Sequence, residues 1–353
     1  MTYRWCAARV RRPFFPGFHA MRLEPRLRRA VLVSSHAVYV VVFLSLGGDY
    51  DMSESGPAYT WNRHEDVFTP IATDATLNCH DVQSSYTHPN SAFWVPSYDG
   101  QSFEQHNASS GALLRSVPVF GSVDINHVQL IEQEATAIIS SRLNSAVYKI
   151  DVATGAVAWQ LGGYGGTFDV YDLDGTYYPA GASPYPFGGQ HNAEWFGDGY
   201  VYMFDNRYGF GTDSSRMIIL SLDEDAFVAH VVWEYVTDLY TPYYGDADRL
   251  PTGNVLGTWW AAYFNVSEHD DVQFEARVAE VTRGGVTDGA TAWRATVQGP
   301  LCSGATCMNE NRGTWKIYSA EVRFTDPIHP LRCDGVREDT HSRRRSRSCP
   351  VDE

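Results

Sequence analysis

The feature that most constrains this chain is the recurrence of short strand-forming runs, punctuated by turn residues, with no helical period between them. SAFWVPS, ATAIISS, AVYKIDV, YVYMFDN, RMIILSL, HVVWEYV, NVLGTWW and KIYSAEV are alternating or β-branched and aromatic. YDG, ATG, GDG, PTG and RGG separate them as turns. Side chains that alternate between two faces suit half-buried strands, and Gly after Asp or Thr supplies the positive φ of a tight turn. The chain is therefore expected to be all-β. Aromatic residues make up 14% of it, which favours strands further.

The runs are organised as a repeat. One unit starts at Cys79-His80-Asp81-Val82-Gln83, a second at Asn126-His127-Val128-Gln129, a third at Gln190-His191-Asn192-Ala193-Glu194 and a fourth at Gly245-Asp246-Ala247-Asp248. Each continues as strand, turn, strand, polar pair, strand, Gly turn and strand. Such a unit cannot bury both faces of its own sheet, and radial stacking of units solves that. The expected fold is a β-propeller of about six four-stranded blades over residues 49–330, with PAYTWN and GTWKIYSAEVRF supplying further strands. In a propeller the start of each innermost strand lies at one channel mouth. His80, His127, His191 and Asn192 are thereby expected around one axis, with the three histidines at one repeat position. Trp159, Trp233 and Trp293 recur at similar unit positions and read as packing between blades.

Charge and cysteine usage bound the partners. Net charge is −15, yet residues 1–30 hold eight Arg and one Glu, so that segment is +7 and the rest −22. An acidic body repels phosphate and argues against nucleic acid. Arg343, Arg344, Arg345 and Arg347 read as a basic disordered tail over 331–353. Residues 1–48 combine a basic stretch, an apolar run at 37–46 and small residues at Ser45 and Gly47. This fits a secretory signal peptide, with a buried strand or an N-terminal membrane anchor as alternatives. The sequons at Asn107 and Asn265 are compatible with secretion and glycosylation. Cys302 with Cys307, and Cys333 with Cys349, have spacings that could close loops. No CxxC pair occurs, which argues against a structural zinc site, and no cofactor is expected. Asp169, Asp172 and Asp174 read as an acidic surface loop, or as calcium ligands lacking the rest of an EF-hand loop.

S-R at 141–142, W-x-L-G-G at 159–163, Q-H-x-A at 190–193, F-D-N at 204–206 and L-P-x-G-N at 250–254 follow one another in an order that resembles the arylsulfotransferase family of six-bladed propellers. The likeness covers about residues 75–327. It implies transfer of a sulfuryl group from a phenolic sulfate ester to a phenol through a histidine, with small-molecule aryl sulfate and phenol as partners. A neutral imidazole attacks sulfur, fixed donors hold the sulfate oxygens and aromatic walls suit the aryl group. The resemblance makes His191 and His127 histidines of the channel mouth, where the repeat also places His80. Asn192, Asn206, one of Arg207 or Arg216, and Arg142 become the oxygen donors. It departs at the fourth unit, where Gly245-Asp246 stands in place of a histidine lead-in.

Blander readings stand beside these. Asp205-Asn206-Arg207 is also a turn sequence, and Arg216 could pair with Asp223 or Asp225 at the surface. The function classes left are a secreted sulfotransferase, a catalytically silent propeller binding a ligand or protein at the same mouth, and another propeller enzyme such as a lyase or hydrolase.

Overall fold

The computed structural model describes residues 91–197, 199–212, 214–260, 275–284 and 288–298. Before and after these it describes shorter stretches, among them 3–6, 21–23, 39–46, 58–62, 67–70, 77–78, 80–81, 83–88 and 315–323. The expected cysteine loops, the Asn265 sequon and the basic tail lie outside the described residues.

The architecture is all-β, and the four sequence units are four antiparallel up-and-down sheets in chain order. The first contains Gln83–Ser84, Ala92–Pro96, Ser102–Asn107 and Leu113–Pro118. The second contains Ile125–Ile131, Thr136–Ser141, Ala146–Asp151 and Val157–Gly162. The third contains His191–Trp195, Tyr200–Asp205, Arg216–Asp223 and Val228–Val236. Its outer edge is extended by Asp169–Tyr171, parallel to Val228–Val236, and then by Tyr177–Tyr178. The fourth contains Asp246–Arg249, Val255–Trp260, Glu275–Val281 and Thr291–Gln298, with Met21–Leu23 added at its outer edge. PAYTWN yields the strand Ala58–Asn62, paired with Val67–Pro70 and Tyr3–Cys6. GTWKIYSAEVRF yields Trp315–Arg323, paired with Tyr39–Leu46.

Strand periodicity explains how the sheets stack. In Thr136–Ser141, Ile139 faces the first sheet with Trp94, Phe103 and Val117, while Ile138 faces the third with Ala193, Val201 and Met203. In Tyr200–Asp205, Val201 and Met203 face back to the second sheet. Tyr202 and Phe204 face forward to Val255, Trp259 and Ala279. Because successive side chains point to opposite faces, one strand serves two cores. That is why the second strands read as continuous apolar runs rather than alternating ones. The outer strand Val228–Val236 keeps the alternation, with one face in water. Face-to-face stacking of consecutive meander sheets through their inner strands is the β-propeller arrangement.

Side chains stitch the stack from outside as well. Trp159 on the outer strand of the second sheet donates from Nε1 to Glu224 in a turn of the third, at 2.7 Å. Trp233 repeats this from the third sheet to Asp288 of the fourth at 3.0 Å. Trp293 differs, donating to Glu280 of its own sheet.

Candidate functional site

The ladders align the four lead-ins. Gln83 pairs with Trp94, Gln129 with Ile138, Glu194 with Tyr202 and Asp248 with Leu256, each on the same rung of its sheet. Two rungs along, His127 pairs with Ser140, His191 with Phe204 and Asp246 with Thr258, so these three share a position. A bulge between His191 and Glu194 makes this possible, since it leaves an extra residue there. The lead-ins carry bonds between sheets. Asp81 Oδ2 lies 3.0 Å from His127 Nδ1, and Asn192 Nδ2 donates to Asp246 and, at 2.9 Å, to Asp248.

His191 is buried and held from both ends. Its Nδ1 lies 2.8 Å from Asn206 Oδ1 and 3.1 Å from the Gly189 carbonyl. Both partners only accept, so Nδ1 carries the proton. Its Nε2 accepts from the Tyr244 backbone N–H at 3.1 Å. Burial pushes the imidazole down to about 3, against the Asn206 hydrogen bond that favours the charged form. His191 is thus neutral, and the lone pair a nucleophile needs is spent on a peptide N–H. Asn206 completes the lock, donating to the carbonyls of Thr241 at 2.7 Å and Tyr244 at 2.8 Å. His191 and Asn206 together hold the 241–244 linker in place. This corrects their expected roles as nucleophile and sulfate donor.

That linker carries Tyr243 over Arg142. The guanidinium carbon lies 4.6 Å from the Tyr243 ring centre and 5.9 Å from that of Tyr208. Nη1 of Arg142 pairs with Asp124 at 2.9 Å, and its buried Nε makes no hydrogen bond. His80 and His191 both feel the Arg142 charge, and His191 feels His80, so the three belong to one cluster. The His80 Nδ1 lies 2.7 Å from Asn78 Oδ1, which also accepts from the His80 backbone N–H at 3.0 Å. An amide oxygen only accepts, so Nδ1 carries the proton and Nε2 the lone pair. Burial lowers His80 to about 4, partly offset by Asp124. The mouth thus combines a cation between tyrosine rings with neutral imidazoles. That suits an aryl anion.

His127 is buried. Its Nδ1 lies 3.0 Å from Asp81 Oδ2, while Nε2 makes no hydrogen bond and lies 4.0 Å from Glu194 Oε1. Two further expected donors, Arg216 and Asn192, are committed elsewhere. All five N–H groups of Arg216 are bonded: to Asp205, Glu234, the Pro186 carbonyl and, twice, Asp172. Arg216 is a buried structural cation, neither a sulfate donor nor a surface partner of Asp223 or Asp225. It also explains Asp172, one of the acidic loop residues. Arg207 takes a left-handed φ of 57°, its guanidinium lies over Phe210 at 5.5 Å, and its buried Nε, like that of Arg142, makes no hydrogen bond. Asn192 gives both its amide hydrogens to carboxylates, so it too is no sulfate donor. Of the expected donors, Arg142 and Arg207 keep an Nε without a hydrogen bond, and Arg142 is the one beside two tyrosine rings.

Gly245 is fixed by geometry. Its φ is +104°, and a Cβ there would lie 2.4 Å from the Phe204 ring. A histidine does not fit at this position on this backbone. Asp124, Tyr208 and Tyr243 were not singled out by sequence reasoning, because they lie in linkers between strands. Asp81 was passed over as one residue of the first lead-in.

No curated protein sequence matches the chain. Solved structures similar to it include the hydrazine synthase of Kuenenia stuttgartiensis, at 14% identity and a TM-score of 0.35. That match covers 57% of this chain, and the chain spans 62% of the length of that one. A functionally unknown protein from Desulfotomaculum acetoxidans DSM 771 matches at 10% identity, covering 73% of this chain and 74% of that one, with a TM-score of 0.36. The Cps50 (Swd1) β-propeller domain of Myceliophteria thermophila matches at 9% identity, covering 76% and 88%, with a TM-score of 0.39. The family model described as Arylsulfotransferase (ASST) matches residues 123–293, which run from Asp124 and Arg142 through the His191 and Asn206 lock to the fourth sheet. Through this stretch the chain is similar to the arylsulfotransferase family.

Proposed function

We propose that this protein moves a sulfuryl group from a phenolic sulfate ester to a phenol at the mouth built around Arg142, with His80 as the histidine that carries it. The observation that carries this reading is Arg142 itself. Its guanidinium lies over Tyr243, is paired with Asp124 on one side, and its charge is felt by the neutral His80 imidazole. The sulfate oxygens would meet Nε and Nη2, and the aryl ring would meet Tyr208 and Tyr243. His80 Nε2 attacks sulfur and the S–O bond to the phenolate breaks. The sulfuryl group then passes from nitrogen to the acceptor oxygen, whose proton is released. His191 acts by positioning the tyrosine linker. His127 is disfavoured as the carrier, because a sulfate at its Nε2 would face Glu194. Two unit charges at 4 Å repel by roughly 4 kcal/mol at an effective dielectric of 20.

Closure into about six blades, export and glycosylation at Asn107 belong to the same proposal. Cleavage near Gly47 would remove Tyr39–Leu46, the partner of Trp315–Arg323. N-terminal sequencing of exported protein checks this, and a chain still carrying residues 1–40 contradicts it.

A second reading is favoured by Gly245, whose closeness to Phe204 leaves no room for a fourth-sheet histidine. On that reading the mouth binds aryl anions without turning them over. Incubation with 4-nitrophenyl sulfate and phenol separates the two. Acceptor-dependent nitrophenol release that is lost in His80→Ala supports transfer. Saturable binding of the ester with no release supports the silent propeller.

A further inference from the structure

The strand Tyr200–Asp205 has two ends. Its Asp205 end borders the Asn206 lock at the mouth. Its Tyr200 end lies about 17 Å away, at about 3.3 Å per residue. Two arginines meet that far end in the crevice between the third and fourth sheets. Arg283 follows the strand Glu275–Val281. Its guanidinium carbon lies 5.5 Å from the Tyr200 ring centre and 5.6 Å from that of Tyr202, and a guanidinium N–H donates to the Tyr202 hydroxyl oxygen. Arg249 ends the inner strand of the fourth sheet. It pairs with Val255 and follows Ala247 by two residues, and both of those side chains pack in the core shared with Tyr202. Cross-strand partners and residues two apart share a face, so Arg249 faces the third sheet as well. Tyr202 feels the charge of both guanidinium groups.

These cations are uncompensated in a chain of net charge −15. Among the described residues neither guanidinium has a carboxylate partner. The acids beside them in the fourth sheet serve other donors. Asp248 accepts from Asn192, Glu280 from Asn254 and Trp293, and Asp288 from Trp233 and the Gly284 N–H. Tyr202 gives an independent sign. It is fully buried, its oxygen accepts from Arg283, and its own O–H proton has no acceptor among the described residues. Burial raises this phenol, so the proton stays on it. Two guanidinium forks and a hydroxyl proton thus form a set of donors with no acceptor among them. A carboxylate would match one charge. A tetrahedral dianion matches both, and its oxygens can take all three groups.

We propose that this crevice, on the side of the stack away from the mouth, binds a phosphate dianion, supplied as inorganic phosphate or as the head of a small phosphate monoester. The site stands independently of the transferase reading.

Calorimetric titration of the full chain carrying Arg142→Ala, which takes the anion contact away from the mouth, tests this at low ionic strength. Saturable binding of inorganic phosphate and phenyl phosphate is expected, weakened about ten-fold or more by adding Arg249→Gln and likewise weakened by Tyr202→Phe. The Arg249 side chain is exposed and has no partner among the described residues, so its replacement leaves the fold intact. Tighter binding of phenyl phosphate assigns the site to the monoester, and binding no tighter than that of phosphate assigns it to the free anion. Absence of saturation with both overturns the proposal. So does binding that Arg249→Gln leaves unchanged, or equal binding of benzoate, which carries one charge. In wild-type protein Arg249→Gln is expected to remove one of two phosphate sites and to spare the one at the mouth. Loss of both, or of neither, overturns the proposal without any change at Arg142.

Discussion

At the scale of single residues, the site is decided by what each polar atom is already bonded to. Arg216 and Arg142 are the same side chain in different circumstances. One has every N–H satisfied by carboxylates and a carbonyl, and the other keeps Nε unbonded beside two tyrosines. Arg142→Ala is therefore expected to weaken binding of 4-nitrophenyl sulfate by about 1.5–3 kcal/mol, or more than ten-fold, with Arg142→Lys intermediate. Equilibrium titration measures this. The neutral histidines also predict a pH dependence. His80 falls to about 4 and His191 to about 3, below the ordinary value of 6.5 for an imidazole. The unfolded chain takes up their protons as pH falls below about 6.5, while the folded chain stays neutral to lower pH. Their contribution to stability is whole above pH 6.5 and is lost as pH falls toward 4 and 3. It amounts to several kcal/mol at about 1.4 kcal/mol per unit. His191→Gln is less stable at pH 7 and has a shallower decline between pH 6.5 and 4, read from urea melts.

At the scale of elements, the lead-in strands do more than line a channel, because they join one sheet to the next. The bend after Ile131 shows this between the first two sheets. Glu132, Gln133 and Glu134 all take positive φ, of 50°, 56° and 73°. That sparsely populated backbone brings the Glu134 carboxylate to the Ser85 and Thr87 hydroxyls, both at 2.6 Å, and to the Tyr86 and Thr87 N–H groups. Burial alone would raise this carboxyl, and those hydrogen bonds outweigh it, so it sits below its usual range. Its stabilisation is present above the unfolded value near 4.3 and fades as pH falls through the folded one. Since the group is only part-buried, solvent screens it, and Glu134→Gln is expected to cost about 0.5–1 kcal/mol at pH 7 and less in acid. Thermal melts at the two pH values check the difference. The strand runs themselves were legible in the sequence, since a two-residue period and Gly turns are local signals. The Glu134 clasp was not, because nothing in EQEAT announces a partner forty-odd residues earlier.

At the scale of the whole molecule, the repeat was readable and the bulge in its third copy was not. HDVQ, NHVQ, HNAE and GDAD align by their last residue, yet the extra residue between His191 and Glu194 brings His191 onto the rung of His127 and Asp246. Motif spelling draws the eye to the histidines, whereas pairing depends on which residue faces which strand. The same blindness made Arg216 look available, since its carboxylate partners come from the two neighbouring strands and the preceding linker. Conversely, the departure at Gly245 was visible in the sequence, and the structure supplies its cause in Phe204. Gly245→Ala forces a Cβ onto that ring at a left-handed φ. It is expected to destabilise the whole stack by about 2–5 kcal/mol rather than to alter one blade, as a single cooperative loss in a urea melt. A shallow local transition at the fourth sheet would contradict that.

The central claim is that the mouth histidine His80 carries the sulfuryl group. It is tested most directly by mixing the protein with 4-nitrophenyl sulfate without acceptor, quenching, and mapping the modified peptide by mass spectrometry. A single sulfuryl adduct on the peptide containing His80, absent in Arg142→Ala and discharged by added phenol, is the predicted result. An adduct on His127 or His191, or acceptor-dependent turnover with His80 unmodified, contradicts it.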